Sequence, residues 1–149
     1  MKRLGFSGAL LIIASGCAAM YGVKFYKAPS PTLKAPSFAI AVQKVQTDLN
    51  NKDYYVTIKL TNLKSEEQLF DSGEMELVDT ATGISYFSIA KDNASVTIPA
   101  HMNTVILKRS LPAGAATTGM IWFKTQIGEA NAAKLLLKYG GSSVELIED

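Results

Sequence analysis

One cysteine and one histidine stand in the whole 149-residue chain, and that scarcity removes most site chemistry before any pattern is read. Without a second thiol the chain forms no internal disulfide. With a single imidazole, a His-rich metal cage or a Ser–His nucleophile pair has almost nothing to draw on. A surplus of either charge is lacking too. Fifteen Lys+Arg face 13 Asp+Glu, and two of the basic residues, Lys2 and Arg3, precede a long uncharged run, so the signs cancel in the rest. A nucleic-acid binder needs a basic excess to displace phosphate counterions, which excludes that class of partner. There is no internal repeat, heptad seam, Walker loop or dinucleotide fingerprint. The only Gly-x-Ser-Gly sequence, Gly5 to Gly8, lies in the first residues.

What is present begins with that uncharged run. After Met1-Lys2-Arg3, the 20 residues from Leu4 to Val23 carry no charge. The densest part, Ala9 to Ala14, has the length of a secretory h-region. Ala14-Ser15-Gly16 then lead into Cys17. This order resembles a bacterial lipobox, in which small side chains precede a cysteine that is acylated and becomes the mature N-terminus. Ala14 stands where that motif usually has a larger aliphatic residue. Two other outcomes stay open: an uncleaved membrane helix, since such a run reaches about 30 Å, and simple cleavage near Ala19. All three place residues after Lys24 outside the cytoplasm, on the periplasmic or cell-surface side of the envelope.

Three of the five prolines fall between Tyr26 and Ser37. Proline fixes φ and favours extended backbone, so this stretch reads as a semi-stiff tether. The expected organisation is a signal or anchor over 1–16, a Pro-rich tether over 17–37 and one folded domain over 38–149. That domain is expected to fold alone when the chain starts at Phe38.

Strand patterns fill the domain. Phe38, Ile40 and Val42 alternate with smaller or polar residues, and Tyr54, Val56, Ile58 and Leu60 share one face opposite Tyr55, Thr57, Lys59 and Thr61. Met75–Asp79 and Ile84–Ile89 flank Thr80-Ala81-Thr82-Gly83, a hairpin with a glycine for positive φ. Further runs are Val96–Ile98, Thr104–Leu111, Gly119–Lys124, Leu135–Tyr139 and, after Gly140-Gly141, Val144–Ile147. Only Glu129–Lys134 invites a helical turn. The fold class expected is all-β, an immunoglobulin-like β-sandwich of about seven to eight strands.

The order of these motifs is similar to that of the uncharacterised immunoglobulin-like lipoprotein domains of bacteria. The likeness runs from about Ile40 to Ile147. It rests on Leu60-Thr61-Asn62, on Met75–Asp79 with Gly83 and Tyr86, on Leu111-Pro112-Ala113-Gly114, on Gly119–Phe123 and on Leu135–Tyr139. The chain departs at Pro112-Ala113-Gly114, where such domains have Pro-Gly directly. The resemblance implies an extracytoplasmic β-sandwich and transfers no catalytic residue.

Candidate chemistry is thin. His101 and Met102 pair an imidazole with a thioether, a copper-type combination, but partner ligands are scarce and a solvated loop histidine is the expectation. Asp71, Glu74, Glu76 and Asp79 lack the spacing of a calcium loop, and no environment separates them into a glycosidase acid and base. In Gly119–Lys124, alternation points Ile121 and Phe123 one way and Met120, Trp122 and Lys124 the other. Burial on both sides is expected and makes Trp122 core; one-sided burial leaves it a partner-binding spot. No catalytic residue and no cofactor are expected. The leading expectation is a non-enzymatic envelope lipoprotein, held by acyl chains on Cys17 or by an uncleaved helix, that engages another protein. The alternative is a small-ligand or metal carrier using His101 and methionines.

Overall fold

The computed structural model describes residues 22–48, 50, 52–91, 104–125 and 130–149. These residues form eleven strands, one 3₁₀ turn at Ser72–Glu74 and no α-helix. Cys17, His101, Met102 and the run Val96–Ile98 lie outside the described residues. The all-β class holds. The expected helical turn does not form in its described part: 130–133 has no helix, and Lys134 opens a strand.

The strands are β1 (Phe25–Lys27), β2 (Thr32–Lys34), β3 (Phe38–Thr47), β4 (Asp53–Asn62), β5 (Gln68–Asp71) and β6 (Glu76–Asp79). They continue as β7 (Ser85–Phe87), β8 (Lys108–Leu111), β9 (Ala116–Lys124), β10 (Lys134–Tyr139) and β11 (Ser142–Glu148). Eight of them follow one another in a single sheet, in the order β7-β6-β10-β11-β1-β3-β4-β9, with β2 beside β3 off that path. Every ladder is antiparallel. The two ends of the path meet: Ser88 bridges to Phe123 of β9, and the Ile89 N–H donates to the Trp122 carbonyl at 3.0 Å. The sheet is therefore nearly closed and barrel-like, where two separate sheets were expected.

A second correction concerns the tether. Residues 25–34, expected in the spacer, supply β1 and β2. β1 lies inside the sheet, paired to β11 on one side and to β3 on the other. Tyr26 and Leu33 are buried in the core. Prolines break no pairing here, because Pro29 and Pro31 fall between the two short strands and Pro36 follows the second.

The strand assignment follows the period of two. In β4 the inward residues Tyr54, Val56, Ile58 and Leu60 are fully buried while Lys59 is exposed. The β6–β7 turn uses Gly83 at φ 74°, a region closed to most L-residues. Gly119 has a different reason. A Cβ there would lie 2.4 Å from Ile106 Cδ1 and 2.9 Å from the Thr104 carbonyl oxygen, so only glycine lets this segment cross β9.

Two aromatic groups fill the two ends of the interior. At the end where β1 begins, Tyr54 packs on Tyr26 (5.9 Å between centroids) and Tyr86 (5.5 Å). At the far end the β5–β8 ribbon carries Phe70 onto Phe38 (5.5 Å) and Tyr139 (5.3 Å). Buried polar groups tie the connections down. Asn62 donates to the carbonyls of Glu66, Leu111 and Pro112 and accepts from the Lys64 N–H. Ser72 bonds Ser88 and the carbonyls of Ile106 and Leu107.

Candidate functional site

The acidic stretch disperses into structural roles. Asp71 accepts from the Gly73 N–H at 2.8 Å and pairs with Lys108 at 3.2 Å. Asp79 is buried and accepts from the Ala81 N–H at 2.9 Å. Glu76 accepts from the Ser85 hydroxyl. Glu74 sits in the 3₁₀ turn that precedes β6. Among the described residues no three His, Cys, Asp or Glu side chains are placed to hold a metal ion.

Among the described residues, two shallow grooves open on the surface. One, about 420 Å³, lies at the far end against Glu74, Glu76, Lys138 and the Gly140-Gly141 turn. The other, about 310 Å³, lies where β1 and β2 part along β3, against Tyr26, Pro31, Val42 and Lys44. Small-molecule sites are enclosed and mostly apolar, and neither groove converges polar groups on an enclosed space.

Trp122 is placed by β9. Ile121 and Phe123 are fully buried, whereas Trp122 is half-buried on the outer face. Burial is thus one-sided, and the expectation that Trp122 belongs to the core is corrected: its neighbours take the inward positions, and its indole finds an outer-face partner. The Trp122 Nε1 donates to Asp53 Oδ2 at 2.9 Å, while Asp53 Oδ1 accepts from the Thr125 N–H at 3.1 Å. Tyr55 packs beside the indole with ring centroids 5.8 Å apart. Burial pushes the Tyr55 hydroxyl up to about 12, with help from Asp53 and Asp48.

The pairing registers extend this pair into a row. Trp122 stands opposite Tyr55, Tyr55 opposite Gln46, and Gln46 opposite Phe25. These side chains come from β9, β4, β3 and β1, four adjacent strands. Phe25 is 47% exposed, and the Lys44 ammonium lies 5.5 Å from its ring centroid, within reach of a cation–π contact. The row lies at the end where β1 begins, since the Lys24 N–H donates to Thr47 Oγ1 and the Thr47 N–H to the Lys24 carbonyl. Phe25 escaped the sequence reading because it fell inside the expected tether. Its position is visible only through the register of strands distant in sequence. The row offers ring faces, edges and an ammonium group.

No protein-family model matches the chain, and no curated protein matches its sequence. Three solved structures share the fold. The yjhA protein from Bacillus subtilis is 13% identical, with 70% of this chain and 75% of that one covered at a TM-score of 0.50. A conserved hypothetical protein from Bacillus anthracis is also 13% identical, with coverage of 83% and 96% and a TM-score of 0.52. A functionally unknown protein from Listeria monocytogenes EGD-e is 8% identical, with coverage of 83% and 86% and a TM-score of 0.51. At these identities the likeness is one of fold alone.

Proposed function

We propose that the chain is a non-enzymatic, membrane-tethered domain of the bacterial cell envelope that binds another protein outside the cytoplasm. The observation that carries the reading is the place of Cys17. It lies within the uncharged run just past its densest apolar part, follows Ala14-Ser15-Gly16, and precedes Lys24 by only six intervening residues. Acyl chains on Cys17 hold the domain at the bilayer, and seven extended residues reach at most about 25 Å. The sheet thus begins close to the membrane, and display depends on the domain's own length.

Partner binding is supported by the far end. Leu69 on β5 is 61% exposed and Leu63 in the β4–β5 connection is 51% exposed. Among the described residues β5 pairs with β8 alone, which suits addition of a partner strand at its other edge. The immunoglobulin-like sandwich remains the finer reading of the fold. It is supported by the way the ladders of β7-β6-β10-β11 and of β3-β4-β9 are joined, among the described residues, through β1 and, at the other side, by the Ser88 bridge.

Fatty-acid labelling of the full chain in a bacterial host tests the anchor. The wild-type chain is expected to carry label, and Cys17→Ser to remain an unlabelled precursor, because a hydroxyl does not replace the acylated thiol. A Cys17→Ser chain processed and released like wild type would overturn the reading in favour of simple secretion.

A further inference from the structure

We infer that the row Phe25–Gln46–Tyr55–Trp122, with Lys44, Lys52 and Lys124 around it, docks the domain on the surface of an anionic phospholipid bilayer. The inference rests on the membrane tether proposed above and adds a defined contact face to it. Three features of the row point to lipid. Aromatic rings with one polar handle favour the headgroup level, where an apolar body and a wet edge are both satisfied. Trp122 and Tyr55 have that character, and Phe25 adds an exposed apolar ring. The row also crosses four neighbouring strands at one level.

The charge at this end completes the match. Its described carboxylates already have partners. Asp53 is held by Trp122 and Thr125, and Asp48 by the Lys52 N–H. Glu148 is held by Lys24, and Asp149 by Lys27. Lys44, Lys52 and Lys124 form no ion pair with a described residue, which leaves three ammonium groups for lipid phosphates. Each basic residue near an anionic leaflet strengthens attachment about fivefold, an effect screened by salt. The tether supplies the remaining element. The row lies beside Lys24, about 25 Å of chain at most from Cys17, so the bilayer is the surface it meets at the highest effective concentration.

Trp122 is the single tryptophan of the chain, and its emission therefore reads the docking face directly. The full chain is reconstituted into vesicles of phosphatidylglycerol and phosphatidylethanolamine containing lipid with a nitroxide on the headgroup. Flotation reports the tether; quenching of Trp122 reports the dock. The expected result is flotation with a blue-shifted Trp122 emission that the nitroxide quenches and high salt partly restores. The Phe25→Ser, Lys44→Glu, Lys124→Glu triple variant is expected to float with unchanged β circular dichroism and to lose most of the quenching. Wild-type protein that floats with unquenched Trp122 overturns the inference and leaves the row a protein-facing surface. Equal quenching in wild type and variant also overturns it. A chain that does not float refutes the tether and the dock together.

Discussion

Starting the chain at Phe38 removes β1 and β2 while leaving every strand of the period-two pattern in place. Two large buried side chains go with them. Leu33 is 1% exposed and the Tyr26 ring is nearly as deep. Burying an apolar body of this size is worth about 1.5–3 kcal/mol each, so the pair accounts for about 3–6 kcal/mol. The Tyr26 hydroxyl also donates to the Ala132 carbonyl at 2.7 Å, and its loss leaves a buried acceptor unmet, at about 1–3 kcal/mol. The ladders from β1 to β3 and to β11 disappear as well. Total stabilities of domains are about 5–15 kcal/mol, so the shortened chain is expected to lose all or nearly all of its cooperative unfolding. A chain starting at Lys24 keeps both strands and is expected to unfold in one sharp transition. Urea titration followed by Trp122 fluorescence and circular dichroism compares the two. Equal midpoints and slopes would refute the placement of β1 within the sheet.

Other consequences concern single positions. Leu60→Ala removes a fully buried side chain and is expected to cost about 2–5 kcal/mol, whereas Lys59→Ala on the exposed face should stay within about 0.5 kcal/mol; equal costs in urea unfolding would mean the strand is buried on both faces. Asn62→Ala leaves the Leu111 carbonyl and its neighbours without their donor and is expected to lower stability by about 2–4 kcal/mol, measured the same way. Burial pushes the Tyr54 hydroxyl up to about 12 and raises those of Tyr26 and Tyr86. The neutral phenols are thus favoured in the folded state. Their contribution is intact below the unfolded value of about 10 and is lost as pH climbs to about 12. The urea midpoint should fall across that window with tyrosinate absorbance rising alongside, and a flat midpoint would count against the buried tyrosine cluster.

The long strands were legible because their apolar residues repeat every second position over many residues. β4 is the clearest case, with four inward apolar residues in ten. Gly83 and Gly140-Gly141 marked their turns because positive φ narrows the choice of residue. β1 and β2 could not be read. Each is three residues long with one inward side chain, Tyr26 or Leu33, so no alternation exists to detect, and the nearby prolines argue for a spacer. β5 was hidden likewise, since only Phe70 of its four residues is buried. Barrel-like closure depends on β1 joining β3 to β11 and on Ser88 reaching Phe123, pairings between segments far apart in sequence. The parity of Trp122 was legible and its exposure was not, because period two says which residues share a face without saying whether the second face is covered.

The mature N-terminus isolated from membranes tests the proposed tether most directly. Mass spectrometry of the first proteolytic peptide is expected to find Cys17 as the leading residue, carrying a diacylglyceryl group and followed by Ala18-Ala19-Met20. A peptide starting at Met1, or one starting after Ala19 without lipid, would contradict it.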